Sequence, residues 1–194
     1  MTPIAHLLYL HGFRSSPQST KARLTAAWMQ AHHPDIVWAC PQLPPSPRDA
    51  MALVMERIAG WPAATTGVIG SSLGGYYATI VAERTGCRTV LLNPATEPAR
   101  DLVDYVGEIT AWHSEDRFEF RPEFVAELDA MRPASITHPE RYYAVIAKGD
   151  ELLDWHEMTA RYAGCRIKLL EGGDHALSDY AEAHLADVTA FLGL

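Results

Sequence analysis

Short apolar runs alternate along this chain with longer stretches in which apolar residues recur at helical spacing. That alternation predicts a parallel sheet covered by helices, an α/β class of fold. Residues 4–10 read as a first, central strand and residues 35–40 as a second. Residues 66–69 form a third run, and 88–92 a fourth that stops at Asn93-Pro94. Two further runs, 144–147 and 166–170, each lead into a polar cluster. Ser16-Pro17 starts the first helix, with Leu24, Ala27, Trp28 and Ala31 on one face. Ser46-Pro47-Arg48-Asp49 reads as a capped start to the second, which buries Met51, Val54, Met55 and Ile58 and stops near Gly60. A last helix carries Ala181, Leu185, Val188, Phe191 and Leu192. The proline-rich piece 41–47 is a loop within a single domain spanning 1–194.

One stretch departs from this rhythm. Residues 96–136 are too long for a simple connection. Helical spacing is readable over 98–106 and over 122–131, where Phe124, Val125, Leu128 and Met131 align. Trp112, His113, Phe118 and Phe120 lie between them among acidic residues. Two readings stand side by side. The insertion is a helical cap whose aromatics line a pocket, or a helical crossover whose aromatics join the core. Trp61, Tyr76 and Tyr77 fit core and pocket equally.

The most informative local pattern is Gly70-Ser71-Ser72-Leu73-Gly74. It follows the third strand and opens a helix at 75–82, the strand–turn–helix context of a nucleophile elbow. Ser72 has glycine at both −2 and +2, so it is the candidate nucleophile. Serine is a poor nucleophile until a base takes its proton, so a histidine and a carboxylate are expected downstream. Both appear after later strands, where open parallel sheets bind ligands. His175 is the candidate base, in Gly172-Gly173-Asp174-His175. Asp150 is the preferred acid, in Gly149-Asp150-Glu151-Leu152-Leu153-Asp154. Asp154 competes for that role or caps the next helix, Glu151 should point elsewhere, and Asp174 reads as a turn residue.

The first strand ends in His11-Gly12-Phe13-Arg14. A His-Gly pair at this place suits an oxyanion loop, with the backbone N–H groups of Phe13 and Leu73 as donors. His11 reads mainly as a residue that orients the loop, and Gly12 permits its bend. His11, Gly12, Arg14, Trp112 and Phe118 complete the candidate substrate-binding set. Arg14 would meet an acidic substrate group or remain in solvent.

These blocks, together with Ser15-Ser16-Pro17, Gly75-Tyr76-Tyr77-Ala78 and Asn93-Pro94-Ala95, resemble the YqiA/YcfP-like family of small bacterial α/β-hydrolases. They span nearly the whole chain in the family's order. The resemblance implies a cytoplasmic bacterial serine hydrolase acting on short acyl esters, with Ser72, Asp150 and His175 as its triad. It also implies an α/β-hydrolase fold with a reduced sheet of about six strands, in the order 2-1-3-4-5-6 and all parallel. A thioesterase or peptidase on the same triad is the alternative, and a non-catalytic scaffold that binds an acyl ligand or a protein is a further one.

Bulk properties fit that reading. A chain of 194 residues can bury roughly 70% of its unfolded surface. A net charge of −8 argues against general affinity for nucleic acid or anionic membranes. No apolar run reaches membrane-spanning length and no basic-then-apolar leader is present, so a cytoplasmic location is expected. Cys40, Cys87 and Cys165 are odd in number and scattered, as reduced thiols are. His32-His33 and His113-x-x-Asp116 read as surface residues, so neither a metal nor another cofactor is expected. The expected partner is a small-molecule ester, and oligomeric state stays open.

Overall fold

The computed structural model describes residues 2–110 and 117–194, so Trp112, His113 and Asp116 lie outside the described residues. β1 (His6–Leu10) pairs with β2 (Val37–Ala39) on one side and β3 (Thr66–Ser71) on the other. β4 (Arg88–Leu92), β7 (Tyr142–Ala147) and β8 (Arg166–Leu170) follow. The six-stranded sheet has the order β2-β1-β3-β4-β7-β8 and every pairing is parallel. This is the order the sequence predicts, with the two extra strand numbers taken by a separate hairpin.

β3 and β7 are buried along their whole length, so their residues feed both faces of the sheet. Alternation sorts them. Leu8, Leu10, Val68, Leu91, Ala144 and Ile146 pack on one face with α2 (Pro47–Arg57) and α3 (Leu73–Thr85). Leu7, Tyr9, Ile69, Val90, Val145 and Ala147 pack on the other, against α1 (Thr20–His32) and α8 (Leu185–Leu192).

α2 starts as its sequence predicts. The Ser46 side chain accepts a hydrogen bond from the Asp49 N–H and Pro47 sits in the first turn. α1 turns a different face inward from the one predicted. Ala22, Thr25 and Met29 are buried, while Leu24 and Ala27 face outward. Thr25 tolerates burial because its hydroxyl donates to the Lys21 carbonyl and pairs with Tyr180. The last helix is also split, into α7 (Tyr180–Ala183) and α8.

The insertion is less helical than its sequence suggests. α4 (Pro98–Asp101) ends after one turn, and a 3-10 turn follows at Val103–Tyr105. β5 (Gly107–Thr110) and β6 (Arg117–Phe120) then pair antiparallel, before α5 (Pro122–Ala130). Ile109, Phe118 and Phe120 alternate with polar residues, a period of two that outweighs helical spacing here. Phe120 and Phe124 enter the core, at 1% and 3% exposure. α6 (Trp155–Arg161) closes the set. Among the described residues, no helix is long and apolar enough to cross a membrane.

Candidate active site

Ser72 joins β3 to α3 with φ 56° and ψ −123°. A residue with a Cβ pays about 1–3 kcal/mol to stand there, so its surroundings must hold it. Its N–H donates to the Leu92 carbonyl at 3.0 Å, and its own carbonyl accepts from Gly75 at 2.8 Å and Ala95 at 3.0 Å. The motif glycines are steric requirements. A Cβ on Gly70 would lie 2.2 Å from the Gly74 carbonyl oxygen, and one on Gly74 only 2.0 Å from that of Leu10. Helix, elbow and first strand are thereby packed backbone against backbone.

His175 and Asp150 meet across the ends of β7 and β8. The imidazole Nδ1 lies 2.7 Å from Asp150 Oδ2. The Asp150 side chain has no exposed surface, and the His175 side chain keeps 16%. Asp150 Oδ1 accepts the N–H groups of Leu152 and Leu153, each at 2.9 Å. With both oxygens tied, the carboxylate assigns the ring proton to Nδ1 and leaves the Nε2 lone pair to act as a base. Asp154 instead caps α6, accepting the His156 N–H at 2.8 Å. Asp174 accepts the Ser178 N–H within its turn. Glu151 departs from its expected orientation: its Oε2 accepts the backbone N–H of His175 at 2.9 Å.

Asn93 is a site residue that sequence reasoning left without a role. It is fully buried, with φ 42°. Its Oδ1 accepts from the Ala147 N–H at 2.8 Å, and its Nδ2 donates to the carbonyls of Asp174 at 3.0 Å and His175 at 3.2 Å. One side chain thus ties the acid strand and the histidine loop to the strand beside the elbow. The available signal was a polar residue closing an apolar strand, which says nothing of its partners.

The loop after β1 presses on Ser72. A Cβ on Gly12 would lie 3.2 Å from Ser72 Cβ and 3.6 Å from its Oγ. Leu73 is the first residue of α3, so its N–H has no acceptor one turn back. Among the described residues, the Phe13 N–H donates to no backbone carbonyl either. His11 is buried and engaged at both nitrogens: Nδ1 faces the Gly12 carbonyl at 3.0 Å and Nε2 accepts the Leu43 N–H at 3.1 Å. Burial lowers its pKa, which favours the neutral ring those contacts require. His11 therefore braces the loop. Arg14 has φ 59°, and its Nε donates to the Thr110 carbonyl at 2.7 Å. Phe118 packs edge-on against Phe13, as do Tyr105 and Phe120.

Ser72 and His175 line one cavity of about 510 Å³. Phe13, Leu102, Tyr105, Leu152 and Leu153 give it apolar walls. Arg14 lines it too, whereas Phe118 and Leu73 face a second cavity across the His11–Phe13 loop. Tyr77 lines that second cavity, Tyr76 donates to the Leu128 carbonyl, and Trp61 stacks on His6 at the far end of β1. The cysteines are all free, and no cluster of metal-ligating side chains occurs among the described residues.

A parallel sheet in this order, with a strained serine elbow and an Asp–His pair at its C-terminal edge, defines the α/β-hydrolase fold. Solved structures agree. A putative hydrolase from Agrobacterium vitis S4 superposes with a TM-score of 0.76 at 14% identity, covering 98% of this chain and 91% of that one. Est1E from Butyrivibrio proteoclasticus, with ferulic acid bound, gives 0.74 at 13% identity over 98% and 88%. The esterase domain of a Rhodothermus marinus protein gives 0.63 at 20% identity over 100% and 85%. More particularly, the chain belongs to UPF0227, described as an uncharacterised protein family, whose model matches residues 6–193.

Proposed function

We propose that this protein is a serine hydrolase of carboxylic esters that works through an acyl-enzyme. The observation that carries the reading is the 2.7 Å contact of His175 with the fully buried side chain of Asp150, beside a cavity that His175 shares with Ser72. His175 Nε2 takes the Ser72 proton as Oγ attacks the ester carbonyl. Asp150 holds the imidazole tautomer and stabilises the imidazolium. The Phe13 and Leu73 N–H groups receive the developing oxyanion, a contribution of roughly 10²–10³ in rate per donor. His175 then protonates the leaving alcohol. Water, activated by the same ring, releases the acid and restores the serine. The size of the cavity suits short acyl esters, and the chemistry requires neither metal nor organic cofactor.

Fluorophosphonate labelling with mass mapping of the adduct tests this directly. Native protein should carry the label on Ser72. Ser72→Ala should lose both label and ester turnover, by about 10⁴-fold or more, with an unchanged melting temperature. Near-normal turnover by that variant would overturn the reading.

A further inference from the structure

Lys21, in the first turn of α1, lines the cavity that holds Ser72 and His175. Its Nζ donates to the carbonyl of Ala176, the residue after His175. An ammonium has three donors, so this contact uses only one. The chain's other lysines are paired: Lys148 with Glu171 at 2.7 Å, and Lys168 with Asp187 at 2.6 Å. Lys21 has no carboxylate within ion-pair distance among the described residues. The nearby acids are committed elsewhere. Asp150 binds His175, Asp174 binds Ser178, Glu151 holds the His175 N–H, and Asp101 across the cavity pairs with Arg100. The Arg14 guanidinium adds a second cation to the same wall set.

A half-buried cation beside a reaction centre, with donors to spare, is placed to receive an anionic group of a bound substrate. We propose that the ester this site takes carries a carboxylate, and that Lys21 receives it. The inference rests on the serine-esterase reading and adds the substrate class. Lys21 would act as a specificity residue, reading the substrate beyond its scissile bond. Burial lowers the Lys21 pKa to about 8, against the opposing pull of Asp174 and Asp150. The preference should therefore be present below that pH and fade as pH rises through it. A ratio of two esters cancels the pH dependence of the chemical step, which both share.

The test compares isosteric pairs: acetylglycolate against acetylglycolamide, and monoethyl succinate against ethyl succinamate. The first pair places the charge on the alcohol side, the second on the acyl side. In at least one pair the charged ester should win by about tenfold or more in kcat/KM, as a charge-assisted hydrogen bond implies. Lys21→Met should bring that ratio close to one, and Lys21→Arg should keep most of it. Equal rates within both pairs, or a preference untouched by Lys21→Met, would overturn the inference. So would an equal loss on both members, which is what a mere tether of the histidine loop would produce. If all four esters turn over too slowly, protection of Ser72 from fluorophosphonate decides: succinate should protect better than succinamide, and Lys21→Met should abolish the difference. Absence of label on Ser72 would instead strike the esterase reading beneath.

Discussion

The framework of Ser72, Asp150 and His175 and the inserted wall meet at Phe13 but are held by different contacts. At the ends of β3, β4, β7 and β8, each group is fixed by hydrogen bonds to the backbone: Ser72 with Leu92, Gly75 and Ala95, Asp150 with two N–H groups, and the histidine loop with the Asn93 and Glu151 side chains. The insertion is seated in the core by Phe120, Phe124 and Leu128, but its cavity-facing part rests on aromatic edges on Phe13 and on surface ion pairs such as Arg100–Glu157. Exposed pairs of that kind contribute about 0–1 kcal/mol each. The contrast separates two functions. Under the proposed function, the hydrogen-bonded framework sets geometry for the chemical step, and the cavity-facing wall governs which substrate fits.

The sharpest way to break this comparison is inside the framework. Asp150→Asn should cost about 10⁴-fold in kcat, because the amide presents the wrong partner to His175 Nδ1. Asp154→Asn should leave kcat nearly unchanged, since Asp154 caps α6 and asparagine caps as well. Steady-state kinetics on both variants decides, and a larger loss at Asp154 would reassign the acid.

Asn93→Ala comes next. It strands the buried Ala147 N–H and removes the partner of the half-buried carbonyls of Asp174 and His175. We expect a stability loss of about 3 kcal/mol, read by denaturant unfolding. We also expect kcat to fall roughly ten- to a hundredfold at temperatures where the variant stays folded, through displacement of His175. A melting shift with full kcat would confine Asn93 to stability and weaken the link between framework and chemistry.

What was legible in the chain follows the same division. The elbow could be read because its glycines answer to steric conflict: contacts of 2.0 and 2.2 Å leave no other residue type. Asp150 and His175 could be read because each closes an apolar strand run. Asn93 and Glu151 could not, because their partners are backbone groups from distant segments, and a backbone N–H has no sequence signature. The β5–β6 hairpin was hidden because its alternation lasts only four residues on each arm. The α1 face was misread because a buried threonine paired with Tyr180 replaces an apolar residue.

The smallest effect should come from the wall. Phe118 stands edge-on to Phe13, with ring centroids 6.2 Å apart, on a hairpin also held by the buried Phe120 and by the Arg14 hydrogen bond to Thr110. An aromatic pair of this geometry contributes about 0.5–1.5 kcal/mol beyond its buried area. Phe118→Ala should therefore lower stability by about 1 kcal/mol, a few degrees of melting temperature. Phe13 would keep its contacts to Tyr105 and Phe120, so its amide should hold its place. KM should then shift by a few fold with kcat nearly constant, because the wall moves and the oxyanion donor does not. A drop in kcat with constant KM would show the reverse: that the hairpin clamps the oxyanion loop, and that framework and wall act as one unit.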